Sequence, residues 1–309
     1  MAFKLDTKQP IRRGLKQVAR RQLKGAEEHL RQDREGDVHE ARKSVKKVRA
    51  IVSLLEQAGA RGLDKDQRRL RAVGRTLSAV RDTDAMITTF DQLRADLQMR
   101  LSEHTSAVLR RHLVQTKTRV VEEALANQRL THAADTLRAV RRSVKRWEVP
   151  AIDAPDLANL VKAGYRAGRK AMRRAHGDLN PSELHRWRKR VKTLWYQLRL
   201  AAPLAPALRG KIRRLKQLER WLGEDHNLSL LQATIGDDRD LRRRVPTAVR
   251  EVIMRSRNQQ TTLRRKSFAL GERLLTERPK AFARDLRRAL SPSPRKAATG
   301  NGPFASAVA

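Results

Sequence analysis

The chain of 309 residues contains no cysteine. That excludes disulfides, thiolate zinc sites and thiol catalysis. Aromatic residues make up only 4% of it, with scattered Phe and Tyr, which argues against a platform for stacking nucleobases. No run of 18 or more apolar residues occurs, and the start, Met1-Ala2-Phe3-Lys4-Leu5, lacks an apolar leader region. The expectation is a soluble cytoplasmic protein with no membrane partner. Strand alternation is nearly absent, as are the Walker A and G-x-G-x-x-G glycine loops. Acidic residues are scarce relative to basic ones, 33 against 70, which leaves a formal net charge of +37. Such an excess repels itself in a compact state, so a polyanionic partner is the first expectation. Nucleic acid, an anionic membrane surface and inorganic polyphosphate are the three classes to separate.

What is present is helical periodicity. Residues 38–55 open with Val38-His39-Glu40-Ala41-Arg42-Lys43-Ser44-Val45-Lys46, and 146 residues later Leu184-His185-Arg186-Trp187-Arg188-Lys189-Arg190-Val191-Lys192 repeats the pattern. At about 100° per residue, His39, Arg42, Lys43 and Lys46 share an arc of roughly 100°, opposite Ala41, Val45, Val48, Val52 and Leu55. His185, Arg188, Lys189 and Lys192 do the same against Trp187, Val191, Leu194 and Leu198. Arg49 extends the first row, and Thr193 and Trp195 stand where the first copy has Lys47 and Arg49.

The neighbouring helices repeat as well. Arg68, Arg71 and Arg75 flank an apolar stripe of Leu70, Val73, Leu77 and Val80. Arg213, Lys216 and Arg220, with Leu215, Leu218 and Leu222, match them at an offset of 145. Lys16, Arg20 and Lys24 share a face of the first helix, and Lys162, Arg166, Arg169 and Arg173 line its counterpart.

The spacing predicts helices from Pro10 to about 34, from an Asp37 N-cap to about 59–62, and from Asp64 onward. Arg81-Asp82-Thr83-Asp84 is predicted to interrupt the third, with further helices over 84–127 and 132–147. Asn180 and Pro181 cap and open the second His-bearing helix, and Pro203 and Pro206 separate it from the next. Residues 147–156, with two prolines and no basic residue, read as a linker, and the tail from Ser291 as disordered. The organisation is therefore all-α: residues 8–147 and 157–290 form two tandem homologous helical bundles, followed by tail 291–309.

His39-Glu40 suggests an H-E-x-x-H zinc site, but position 43 is Lys and the second copy has Arg186 for Glu. Asp82 and Asp84 read as partners of nearby arginines ahead of metal ligands. Nothing nominates a nucleophile or general base, so the expectation is a binding protein that is not an enzyme and needs no cofactor. Trp147, Trp187, Trp195 and Trp221 sit at or near apolar stripes and read as core. The row from His39 to Lys46 rises about 10 Å, which suits a line of phosphates. Arg offers a planar fork, Lys a mobile point charge, and His a donor that ionises beside an anion.

The paired His-x-x-Arg-Lys-x-x-Lys helices, with Leu77-Ser78-Ala79-Val80-Arg81-Asp82-Thr83-Asp84 and Leu222-Gly223-Glu224-Asp225-His226-Asn227-Leu228, resemble the CHAD domain family over about residues 8–290. Glu272-Arg273-Leu274-Leu275-Thr276-Glu277-Arg278-Pro279 resembles that family's closing segment. The resemblance implies two four-helix bundles related by a pseudo-two-fold axis around a basic central channel that binds inorganic polyphosphate, often on polyphosphate granules. It further implies core ligands at His39, Arg42, Lys43, Lys46, His185, Arg188, Lys189 and Lys192. Arg68, Arg71, Arg75, Arg213, Lys216 and Arg220 are the implied supporting contacts. The Glu-x-Glu-x-Lys strand of the triphosphatase domain fused to some members is missing from this sequence. Nucleic acid remains as a non-specific competitor and as the alternative partner, and a phosphate-transferring or hydrolysing enzyme is the lesser alternative. No oligomeric state is assigned.

Overall fold

The computed structural model describes residues 3–32, 36–95 and 101–290. Helices α1 (Ile11–Gln32), α2 (Asp37–Gln57), α3 (Asp64–Ala95), α4 (Glu103–Ala126) and α5 (Arg129–Ser143) are followed by a 3-10 turn, Val144–Arg146. Then come α6 (Ala154–Gly177), α7 (Pro181–Ala201), a second 3-10 turn (Pro206–Leu208), α8 (Arg209–Asp237), α9 (Arg239–Arg244), α10 (Pro246–Leu275) and α11 (Pro279–Leu290). No strand forms among the described residues. One antiparallel bridge joins Arg61 to Glu148, with reciprocal backbone hydrogen bonds of 3.0 and 3.2 Å. The fold is all-α, as the periodicity predicts.

The neighbours of each helix recur. Helix α1 packs on α2 and α5, and α6 on α7 and α11; α2 packs on α3, and α7 on α8; α3 meets α4, and α8 meets α10. Helices α2 and α7 also contact each other, as do α3 and α8, so these four form the centre. The predicted stripes supply the main core: Val45, Val48, Val52 and Leu55 of α2, Leu70, Val73 and Leu77 of α3, Trp187, Val191, Leu194 and Leu198 of α7, and Leu215, Leu218 and Leu222 of α8. Each fully buried aliphatic side chain contributes about 1.5–3 kcal/mol relative to exposure. A smaller cluster, with Met86, Phe90, Leu113, Leu231, Ile235 and Val252, joins the far ends of α3 and α8 to α4, α9 and α10.

Several local expectations are corrected. Arg81-Asp82-Thr83-Asp84 does not interrupt α3, which runs unbroken to Ala95, and no helix starts at 84. These polar residues stay helical because Arg81 and Asp82 find partners on α2, described below. Asp37 is the first residue of α2 and not its cap; Gly36, at φ 85, makes the turn that only a residue without Cβ adopts freely. Asp37 instead accepts a 2.6 Å hydrogen bond from His29 Nδ1, tying α1 to α2. Asn180 does cap α7, accepting from the Glu183 amide at 3.0 Å with Pro181 in the first turn. Residues 33–35, 96–100 and the tail from Ser291 lie outside the described residues.

Segment 147–156 is fixed at both ends. Trp147 is buried and its Nε1 donates to Asp66 Oδ2 at 2.9 Å, while Asp153 and Asp156 form a capping box at the start of α6. Trp187 is fully buried. Trp195 is half-buried against the core under the Arg199 guanidinium, 5.0 Å away, and Trp221 is half-buried on α8.

Candidate polyanion-binding site

Where α2 and α7 meet, each helix turns two cations inward. Arg42 and Lys46 come from α2, and Arg188 and Lys192 from α7; each pair is one helical turn apart, so both members share a face. The flanking helices α3 and α8 supply the acceptors. Arg42 Nε donates to Ser78 Oγ at 3.1 Å and its Nη2 to Asp82 Oδ1 at 3.2 Å. Lys192 Nζ donates to Glu219 Oε1 at 2.7 Å, and Arg188 Nε stands 3.4 Å from the same oxygen. Arg188 also lies against Gly223, where an added Cβ would come within 3.1 Å of its Nη2.

The register of the repeat explains this asymmetry. Offset by 145, Glu219 takes the place of Gly74, Gly223 that of Ser78, and Asn227 that of Asp82. One half therefore holds its arginine through a carboxylate late on α3, and the other through a carboxylate two turns earlier on α8.

Four basic side chains face two carboxylates in a shielded space, and their ionisation reflects it. Burial, reinforced by Arg42, Lys192 and Arg188, pushes the Lys46 ammonium down to about 6, with Glu219 opposing. Burial lowers Lys192 as well, against the pull of Glu219, and lowers the Arg42 guanidinium, against Asp82. Burial alone would raise the Glu219 carboxyl, but Lys192 and Arg188 hold it below its ordinary value.

His39 and His185 lie one turn before Arg42 and Arg188 and are neutral. His39 Nδ1 accepts a 2.8 Å hydrogen bond from Arg81 Nε, which places the imidazole proton on Nε2. Burial, then Arg81 and Lys43, lowers its pKa. In the second half, His226 occupies the register of Arg81 and its ring lies 4.0 Å from that of His185. Burial and the surrounding cations push His185 down to about 4 and His226 down to about 3. Arg81 Nη1, His185 Nδ1 and Arg188 Nε are buried without a hydrogen-bond partner. Polar groups sealed off in this way are destabilising until an acceptor arrives.

Outside the inner cluster is an open rim. Lys43 pairs with Glu40 at 2.6 Å. Arg49 lies along Gly74, exposed at its outer end; partial desolvation of its guanidinium, then the charges of Arg71 and Arg75, lower its pKa. Lys189 feels burial first and then Arg49 across the helix pair. Arg68 is exposed on α3; Arg213, Lys216 and Arg220 are exposed on α8, and Arg220 pairs with Glu224 at 3.4 Å.

The rows of α1 and α6 are placed differently. Arg166 and Arg173 are exposed on α6, and half-buried Arg169 acts on Tyr165. Arg20 lies on α1 in a separate cleft beside the 3-10 turn Val144–Arg146. Asp84 pairs with Lys117 at 2.8 Å. Among the described residues no group of three or more His, Asp or Glu is arranged to hold a metal ion. Ser78, Glu219 and Gly223 carry no local signal in the sequence that marks them as site residues. Reading the two halves in register would have flagged Glu219, a carboxylate where the first half has Gly74.

The family model described as the CHAD domain matches residues 16–236. Among solved structures, the chain resembles PptA from Streptomyces chartreusis at 18% identity and a TM-score of 0.61, covering 86% of this chain and 100% of that one. It resembles the CHAD domain from the plant Ricinus communis at 18% identity and a TM-score of 0.61, covering 94% of this chain and 96% of that one. At that identity both speak for the fold. No curated protein matches the chain, and among the described residues no helix is long and apolar enough to cross a membrane. The matched model spans most of the chain, including α2, α3, α7 and all but the last residue of α8, and the chain belongs to the CHAD domain family, whose known role is polyphosphate binding.

Proposed function

We propose that this chain binds inorganic polyphosphate, without transforming it, in a basic channel between α2, α3, α7 and α8. The observation that carries the reading is the convergence of Arg42, Lys46, Arg188 and Lys192 on one shielded space, with Asp82 and Glu219 as the counter-charges among the described residues. A phosphate chain entering that space supplies acceptors to Arg81 Nη1 and Arg188 Nε and competes with Glu219 for Lys192. Arginine forks grip pairs of oxygens, and the lysines follow the chain as point charges. His39 and His185 donate from the turn before the arginines, and Lys43, Lys189, Arg49, Arg71 and Arg75 form an electropositive rim that draws the polymer in.

Residues 8–147 and 157–290 act as two halves about a pseudo-two-fold axis, joined by 148–156, each contributing one wall. Arg68, Arg213, Lys216 and Arg220 on the outer faces of α3 and α8 engage chain that extends beyond the channel. In this reading Arg166, Arg169 and Arg173 take part only with long chains. The cellular setting is the cytoplasm, at polyphosphate granules.

Titration with polyphosphate of graded length, and with duplex DNA as competitor, tests the proposal. Long chains should bind most tightly and displace DNA. Affinity should fall with salt on a log–log slope of about 3 or more, from about 0.7 per neutralised phosphate and four inner cations. Equal binding of short chains, long chains and DNA at moderate salt would favour a general nucleic-acid-binding surface and sink the channel.

A further inference from the structure

A second cluster of cations lies away from the channel, on the side of α1 that meets the 3-10 turn Val144–Arg146. Arg12, Arg13, Lys16 and Arg20 lie within about two turns of α1 and, with Gln17, line a cavity of about 560 Å³; Lys145, Trp147 and Val149 form the other wall, and no acidic residue takes part. The two walls are joined at Lys16, whose Nζ donates to the backbone oxygens of Lys145 at 3.0 Å and of Trp147 at 2.9 Å. That ammonium is thereby held in place, with one of its three protons left for a ligand. The nearby Asp6 carboxylate is engaged by Gln9 and the Lys8 amide, and Gln9 in turn donates to Gln17 on the cleft.

This cleft is not a by-product of the repeat. At the offset of 146, α6 has Ala158 for Arg12, Asn159 for Arg13 and Ala163 for Gln17. Lys162, the counterpart of Lys16, is directed to Asn159 Oδ1 at 3.4 Å in place of a second wall. Lys162 and Arg166 keep the register of Lys16 and Arg20, but Arg12 and Arg13 have no basic counterpart on α6. The cleft's one aromatic, Trp147, is buried to 2% exposure, with its indole N–H occupied by Asp66. No ring face is free to stack on a nucleobase, so the chemistry on offer is for bare phosphate.

We propose that the cleft formed by Arg12, Arg13, Lys16, Arg20 and Lys145 is a second, independent binding site for a short phosphate anion of pyrophosphate size. Arg13 and Arg20 grip its oxygens from α1, and the fixed Lys16 ammonium sits between them. The site stands whether or not the channel binds polyphosphate.

Calorimetric titration of inorganic pyrophosphate into the full chain tests this, with three double variants in parallel. R13A/R20A removes two exposed guanidiniums of the cleft, R42A/R188A disables the channel, and R242A/R265A removes two exposed charges elsewhere. The expected result is a pyrophosphate binding event that R13A/R20A weakens by about tenfold or more, the loss of charge-assisted hydrogen bonds, and that the other two variants retain. A titration of R13A/R20A that superimposes on the parent overturns the proposal. So does an equal loss in R242A/R265A, which would reduce the effect to overall charge. The comparison of parent with R13A/R20A decides the matter even if R42A/R188A folds poorly.

Discussion

Binding of polyphosphate should be linked to proton uptake at Lys46. Its ammonium is enclosed by Arg42 on its own helix, Lys192 and Arg188 on α7 and Glu219 on α8, and burial with these neighbours brings it down to about 6 in the ligand-free protein. A phosphate chain beside it favours the charged form, so the complex binds a proton that the free protein lacks above that pH. Because the bound state holds more protons, affinity falls as pH rises. Between pH 6.0 and 7.5 the protonated fraction of the free protein drops from about one half to about one thirtieth, so the association constant should fall about fifteenfold.

The assay is calorimetry with long-chain polyphosphate in buffers of differing ionisation enthalpy, which counts the protons taken up. At pH 7.5 the count should approach one. Lys46→Arg keeps the charge but does not titrate in this range, and should abolish the uptake and flatten the dependence above pH 6. His185 and His226, pushed down to about 4 and about 3, add uptake at lower pH in both proteins. An uptake near zero in the parent, or the same uptake in Lys46→Arg, would refute the linkage. The same depression acts on folding with the opposite dependence on pH. Between about 6 and 10.5 the unfolded chain holds the proton, so the contribution of Lys46 to stability rises with pH through that window.

Glu219→Gln leaves Lys192 and Arg188 without their carboxylate and should destabilise the free protein by about 3 kcal/mol, the cost of breaking a buried ion pair. Long polyphosphate should restore the melting temperature of this variant by more than it raises that of the parent; an equal rise would mean Glu219 does not compete for those cations. Asp66→Ala should cost about 2 kcal/mol, read as a shift of the urea midpoint at constant slope, because the buried Trp147 indole loses its acceptor, while the Ser143 hydroxyl keeps the Val140 carbonyl at 2.9 Å. An unshifted midpoint would mean that water replaces the carboxylate.

The fold was legible because helix faces follow from spacing alone. The stripes at Val45, Val48 and Val52 and at Trp187, Val191 and Leu194 are buried as the period requires. The inner pairs Arg42 with Lys46 and Arg188 with Lys192 were legible for the same reason and because they recur. Periodicity names a face without naming what lies across from it. The row containing Lys16 and Arg20 borders its own cleft, since Lys16 is taken by the carbonyls of a turn some 130 residues away. Arg81 and Asp82 read as a helix break because their partners, His39 and Arg42, lie about 40 residues back. Long-range pairs of this kind leave no local signature. Glu219 is the intermediate case, visible only when one half is laid on the other.

Whether the inner cations bind the phosphate chain is decided by the double variant Arg42→Glu/Arg188→Glu. Long-chain polyphosphate binding is measured by anisotropy, with far-ultraviolet circular dichroism on the same samples. Binding should be lost while helical content stays at the parent level. A folded variant that binds with parental affinity would contradict it, and so would a variant that unfolds, because Arg42 and Arg188 would then serve the fold and not the ligand.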